Sequence, residues 1–252
     1  MRLLGVPFPR VNYLTHIDDK RRVVYVETPK VACTSIKKFM MDQYVGGSFD
    51  LSSPNKVHDR QLSPLRQLSE YSAGDGLDVW GAGYRRFSFV RNPYTRLLSG
   101  YLDKLIHNEW ERERHLPMMG FEPGSYPTLL EFLERLAQKP DGERDIHFAT
   151  QSSLLMIGRV EYDFLGRFEE FQSELQKLKV SFYDSRQEAE SYEDFGKHHA
   201  SNASKKIRQY YGSREAELVQ SIYHADFENF GYPLDLRDVA LRIQPVQIPA
   251  ST

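Results

Sequence analysis

The sequence predicts an α/β protein with a central, mostly parallel sheet flanked by helices. Two short apolar runs, Val23-Val24-Tyr25-Val26 and Arg86-Phe87-Ser88-Phe89-Val90, have the composition of strands buried on both faces. Each ends in a polar turn marked by proline, Thr28-Pro29 in one case and Arg91-Asn92-Pro93 in the other. Helical spacing follows, clearest in Tyr94, Leu97, Leu98, Tyr101, Leu102 and Leu105.

Taken in chain order, the first helix runs from Ser35 to Tyr44 and opens at Thr34 or Ser35, either of which suits an N-cap. Gly46 to Pro64, rich in Gly, Ser, Asp and Pro, reads as a long surface loop, and loops of that length are often functional. Pro93 fits the first turn of the next helix, where its missing N–H costs nothing. Thr128-Leu129-Leu130-Glu131 is a capping box, and the helix it starts ends near Lys139-Pro140. Tyr162 to Gly166 is a third strand, followed by a helix from Glu169 to Leu178 and two helical stretches between Ser201 and Phe227. The expectation is one domain over residues 1–252, with its core at about 22–232 and an irregular tail over 233–252.

Composition narrows the function classes. At 252 residues, 40% apolar and 27% charged, the chain has the make-up of a globular protein with an ample core. A formal net charge of −2 argues against a dedicated nucleic-acid binder, while leaving room for a local basic pocket. The single cysteine, Cys33, excludes an intrachain disulfide framework and any multi-cysteine metal site. It leans towards a reducing compartment. No stretch approaches the roughly 20 apolar residues that span a bilayer. The apolar start, Met1 to Pro7, is too short for a signal peptide, so the expected setting is cytoplasmic.

In such sheets ligands bind beyond the carboxyl ends of the strands, which points to the two turns. At the first, a strand feeds a helix N-terminus that presents unpaired N–H groups and the positive end of the helix dipole. Lys30 adds a cation, Thr34 and Ser35 add hydroxyls, and the small Ala32 and Cys33 let an anion approach the backbone. No glycine lies between Glu27 and Gln43, so this is not the Walker loop of ATP or GTP enzymes. Taken alone, the pattern fits an anion site or an ordinary capped βα turn. At the second turn, Arg91 can offer a planar fork to a phosphate, with Ser99 about two helical turns on. Each residue singly also fits a structural role, as a surface ion pair or a buried helix serine.

Together the turns become recognisable. Thr28-Pro29-Lys30-Val31-Ala32-Cys33-Thr34-Ser35-Ile36-Lys37 resembles the 5′-phosphosulfate loop of the carbohydrate sulfotransferases. Phe89-Val90-Arg91-Asn92-Pro93-Tyr94-Thr95-Arg96-Leu97-Leu98-Ser99-Gly100-Tyr101 resembles their 3′-phosphate motif. The likeness continues through Tyr162 to Glu169, Asn202-Ala203-Ser204 and Asp226 to Tyr232. It implies a P-loop-like sulfotransferase fold and an O-sulfotransferase using 3′-phosphoadenosine-5′-phosphosulfate (PAPS), with 3′-phosphoadenosine-5′-phosphate (PAP) as product; no metal is expected, because a sulfonate carries less charge than a γ-phosphate. Carried onto this chain, Lys30 meets the phosphosulfate near its bridging oxygen. Val31, Ala32, Cys33, Thr34 and Ser35 hold the 5′-phosphate, and Arg91 and Ser99 hold the 3′-phosphate. Lys205 and Lys206 close over the nucleotide.

Transfer to a hydroxyl requires a base of near-neutral pKa. His58, in Lys56-Val57-His58-Asp59, is the first candidate, because related enzymes also carry a Val-His in this loop; Asp59 or another acid would orient it. His147, in Asp145-Ile146-His147-Phe148-Ala149-Thr150-Gln151, is the second, since a His and a Gln precede the third strand in the family. His107 and His115 read as acceptor-side or surface residues, and adjacent His198 and His199 do not make a metal site. Cys33 reads as a small loop residue and not a nucleophile. The segment Asn108 to Asp145 mixes Trp110, Phe121 and Tyr126 with charge, which suits an acceptor wall. The resemblance favours a carbohydrate or glycolipid acceptor. A small alcohol, a nucleotide-dependent kinase and a non-catalytic PAP-binding module are the other readings.

Overall fold

The computed structural model describes residues 2–72, 78–184 and 203–240. His198, His199 and Asn202 lie outside the described residues, as does the tail beyond residue 240. The chain opens with a hairpin of β1 (Arg2–Leu3) and β2 (Val6–Pro7), then α1 (Phe8–Leu14). The central sheet has the order β3 (Thr15–Asp18), β4 (Val23–Val26), β5 (Arg85–Val90), β6 (Phe164–Arg167). The pairings β4–β5 and β5–β6 are parallel, and only the edge strand β3 runs antiparallel. This is the mostly parallel sheet expected from the two apolar runs. The third strand lies two residues later than its sequence signal, because Tyr162 turns away to give its hydroxyl to the Leu155 carbonyl (2.9 Å).

The described residues form two compact units, one holding everything up to Val90 and from Leu154 to Asp184, the other Arg91 to Ser153 and the residues from Ala203 onward. In the first unit, one face of β4 and β5 (Val23, Tyr25, Phe87, Phe89) packs on two helices. These are α2 (Cys33–Val45), through Ile36, Phe39 and Met40, and a helix at Phe171–Tyr183, through Leu175, Leu178 and Phe182. Tyr25 and Phe87, paired across β4 and β5, stack with ring centroids 5.1 Å apart. Burying an aromatic side chain in this way contributes on the order of 2–3 kcal/mol. The helix after β6 therefore runs to Tyr183 and not to Leu178, because the core contacts of Phe182 extend it by a turn.

The second unit is helical: α3 (Pro93–Tyr101), α4 (Glu109–Met118), α5 (Leu129–Ala137), the short α6 (Gln151–Leu154), then α8 (Ala203–Tyr210), α9 (Ser213–Ile222) and α10 (His224–Phe230), with the Phe171–Tyr183 helix counted as α7. Asn92 caps α3 by accepting from the Tyr94 N–H (3.0 Å), and a π-helical turn over Leu102–His107 prolongs that helix. The capping box at Thr128 is formed, with the Glu131 carboxylate accepting from the Thr128 N–H at 2.7 Å. Tyr94 meets Tyr211 and Phe227 edge-on (centroids 5.5 and 5.1 Å). The buried Arg96 donates to the carbonyls of Ala149 (2.8 Å) and Ile146 (3.1 Å), which fixes the loop that carries His147.

Gly46 to Pro64 is not wholly a surface loop. A 3-10 turn over Pro54–His58 sinks Val57 into the core of the first unit, where it is 1% exposed. No helix among the described residues is long and apolar enough to cross a membrane.

Candidate active site

After Val26 the chain leaves β4 through Glu27, Thr28 and Pro29 and bends sharply. Lys30 and Ala32 both adopt left-handed backbone (φ 70° and 55°), which is unusual for residues with a Cβ. Such strain clusters at functional turns, and left-handed residues alternating with others curl successive N–H groups into an anion-binding concavity. Helix α2 starts at Cys33 and not at Thr34 or Ser35, and its cap residue Ala32 brings no side-chain cap. The first N–H groups of a 13-residue helix are thus left at the mouth of the turn. Cys33 and Thr34 are half-buried there, and Ser35 is buried.

Behind this turn lies a buried polar chain. Glu27, 3% exposed, accepts from Lys37 Nζ (2.9 Å) and from His16 Nε2 (2.9 Å). On its far side His16 contacts the Arg60 guanidinium through Nδ1, and Arg60 also donates to the Thr15 carbonyl (2.9 Å). Lys37 Nζ lies 2.7 Å from His58 Nδ1, and His58 Nε2 lies 3.1 Å from Thr34 Oγ1. Burial alone would raise the Glu27 carboxyl, but Lys37 and the His16 hydrogen bond outweigh it and hold the group well below the carboxylate range. Burial pushes His16 down to about 3, with Arg60 and Lys37 adding to the effect, so its ring is neutral. Cys33 is pushed up to about 11 by burial and by the neighbouring Glu27 carboxylate, which leaves it a thiol and not a nucleophile.

Asp59, the partner expected for His58, instead accepts from the Gln61 N–H (3.0 Å). The orienting groups are Lys37 and Thr34. Glu27, Cys33 and His58 have potential metal-ligand atoms within 4.8 Å of one another, but the Lys37 ammonium is bonded to two of the three and takes a cation's place there.

In the second unit Arg91 follows β5 directly. Gln151 grips its backbone in both directions: Gln151 Oε1 accepts from the Arg91 N–H (2.8 Å), and Gln151 Nε2 donates to the Arg91 carbonyl (2.8 Å). Buried Asp226 in turn accepts from the N–H groups of Gln151 (2.8 Å) and Ser152 (2.7 Å). Arg91 Nε donates to Thr95 Oγ1 (3.0 Å), which fixes the fork's root one turn into α3, and Ser99 is buried on the same helix. Gln151 and Asp226, quoted in the sequence only within family stretches, are here the supports of Arg91. Lys206 lies on α8, as does the backbone of Lys205, whose side chain is outside the described residues.

His147 and Asp145 form a third cluster. His147 Nδ1 is 2.6 Å from Asp145 Oδ1, the same oxygen that accepts from the His147 N–H (2.9 Å). His115 is not a surface residue: it is 1% exposed, donates from Nδ1 to the Glu111 carbonyl (2.7 Å), and brings Nε2 to 3.8 Å from Asp145. Burial would raise the Asp145 carboxyl, but His115 and His147 overcome it and hold the group far below its ordinary value. An ionised Asp bound to Nδ1–H leaves Nε2 of His147 as the basic nitrogen. Beyond His115, the exposed Trp110 and Tyr126 rings are faced by Arg114 (5.6 Å) and Arg112 (4.0 Å).

The first unit of this α/β protein thus carries a turn with the geometry of an anion site, and the second carries a supported arginine at the end of β5 and, separately, an Asp-oriented histidine. The chain belongs to the sulfotransferase family, whose model matches residues 14–233. It is 25% identical to carbohydrate sulfotransferase 9 of Homo sapiens over 242 residues, 86% of this chain and 52% of that one. It is also 25% identical to carbohydrate sulfotransferase 8 of Mus musculus (88% and 57%) and to carbohydrate sulfotransferase 10 of Xenopus laevis (63% and 50%). The chain spans about half the length of these curated relatives. No solved structure matches it.

Proposed function

We propose that the chain transfers a sulfonate from PAPS to a hydroxyl of a carbohydrate acceptor. The observation that carries this reading is that the family match, residues 14–233, takes in both turns. The names of the relatives supply the acceptor class. A nucleotide-dependent kinase and a non-catalytic module are disfavoured on the same ground.

In this reading the Lys30–Ser35 turn takes the 5′-phosphosulfate, and Arg91 with Ser99 takes the 3′-phosphate. The acceptor oxygen forms a bond to sulfur as the bond from sulfur to the bridging oxygen breaks, and that oxygen leaves on PAP with its electron pair. Lys30 and the N-terminus of α2 stabilise the charge that builds there, as in phosphoryl transfer. The acceptor proton passes to Nε2 of His147, which Asp145 orients at 2.6 Å through Nδ1. His147 takes precedence over His58 as base because both ring nitrogens of His58 are already engaged, by Lys37 and Thr34. A cytoplasmic setting belongs to the same proposal and rests on the lone cysteine.

The test is transfer of labelled sulfonate from PAPS to a panel of carbohydrates, with wild type and His147→Ala. Wild type is expected to label a sugar, and the variant to lose roughly 10²–10⁴-fold in kcat while PAP affinity holds. Labelling of no acceptor, or an unimpaired variant, would refute the assignment it addresses.

A further inference from the structure

The environment of His58 fixes its proton. A lysine ammonium carries three donors and no acceptor. Lys37, paired with buried Glu27 at 2.9 Å, therefore donates to His58 Nδ1 at 2.7 Å, and Nδ1 must be unprotonated. A neutral imidazole has one N–H, so it sits on Nε2, pointing at Thr34 Oγ1 3.1 Å away. A second proton on Nδ1 would set an N–H against an N–H of the ammonium. Lys37 and Thr34 touch the ring, with Glu27 and Cys33 beyond the ammonium, and Glu27 could accept from Nδ1 in place of Lys37 only by breaking the Glu27–Lys37 pair.

We infer that His58 is a positioning residue for the donor and not the base: its Nε2–H fills one lone pair of Thr34 and turns the hydroxyl hydrogen towards the 5′-phosphosulfate. Glu27 and Lys37 hold it in that role. The same device is repeated one step deeper, where Arg60 meets Nδ1 of His16 and Nε2 donates to Glu27. Arg60, His16, Glu27, Lys37, His58 and Thr34 thus form one hydrogen-bonded file ending at the anion turn, in which Glu27 accepts from both sides and both ring nitrogens of each histidine are engaged. Lys37, which closes the loop motif, acts through His58 and not on the nucleotide. This inference rests on the proposed donor reading.

The experiment compares His58→Ala and His58→Gln with wild type, by PAP calorimetry and by the pH dependence of kcat at saturating PAPS. The glutamine amide can reproduce the Nε2 donor but cannot serve as a base. Loss of one hydrogen bond is expected to weaken PAP binding about tenfold in His58→Ala and two- to threefold in His58→Gln. Both variants should keep the acidic limb of kcat. A kcat loss of roughly 10²–10⁴-fold in both variants, with the acidic limb gone, would make His58 the base and overturn the inference. Wild type that fails to bind PAP would overturn the donor reading itself, so the two failures are distinct. Nitrogen NMR of histidine-labelled wild type gives a check free of folding effects: the neutral His58 ring should show the signals of an Nε2–H tautomer. Signals of an Nδ1–H tautomer would contradict it.

Discussion

At the scale of single residues, the buried polar file makes stability depend on pH in a defined window. The folded pKa of His16 is about 3 against 6.5 for the free side chain, so the unfolded chain binds the extra proton. The stability this represents is fully present above pH 6.5 and is lost as the pH falls towards 3. Unfolding at pH 5 should therefore cost about 2 kcal/mol less than at pH 7. Glu27 and Asp145 add little between pH 7 and 5, since their folded values are lowered and the stability they contribute is lost only as the pH falls through and below their ordinary values of 4.5 and 3.8. Chemical denaturation of wild type and His16→Gln at both pH values checks it: the variant should lose most of the pH difference, and an unchanged difference would show that another group carries it. The turns that carry Lys30 and Arg91 were legible in the sequence because proline and short apolar runs mark where strands end. The partners of His58 were not. Lys37 lies 21 positions away and Glu27 10 positions before that, and no local period links them. They meet because Val57 is drawn into the core, carrying His58 against α2, in a stretch whose composition reads as solvent-exposed.

At the scale of elements, the sheet in the first unit is closely packed where Gly166 of β6 pairs with Phe89 of β5. A Cβ built on Gly166 would lie 2.5 Å from Phe89 Cε1 and 2.9 Å from Phe164 Cε1. Both rings are held in the aromatic cluster, Phe89 against Phe171 and Phe164 against Phe182, so neither can swing away freely. Gly166→Ala is expected to destabilise the protein by about 1–3 kcal/mol, the usual cost of overpacking. A melting temperature equal to wild type would show that the rings yield. The helices and parallel strands were legible from periodicity and caps; the edge strand β3 was not. Its four residues Thr15, His16, Ile17 and Asp18 are all buried, yet three are polar, and it is their partners across the chain that pay for burying them. A polar strand of this kind leaves no hydrophobic alternation to read.

At the scale of the whole molecule, the proposed chemistry rests on two turns, assigned to phosphates, that come from different stretches of the chain and that a single family match covers. A net charge of −2 means that anion recognition is local, made by a few supported cations and helix N–H groups and not by a general positive field. Arg91 is the most exacting point of the proposal, since it is assigned the 3′-phosphate that separates PAP from ATP-type nucleotides; Gln151 holds its backbone in both directions, and Asp226 holds Gln151. The most direct measurement is calorimetric titration of PAP into wild type and Arg91→Ala, with ATP as control. Wild type is expected to bind PAP in preference to ATP, and the variant to bind PAP more weakly by about 2–4 kcal/mol, the cost of a charge-assisted fork. Equal PAP affinity in the two proteins, or equal binding of PAP and ATP by wild type, would contradict the donor assignment.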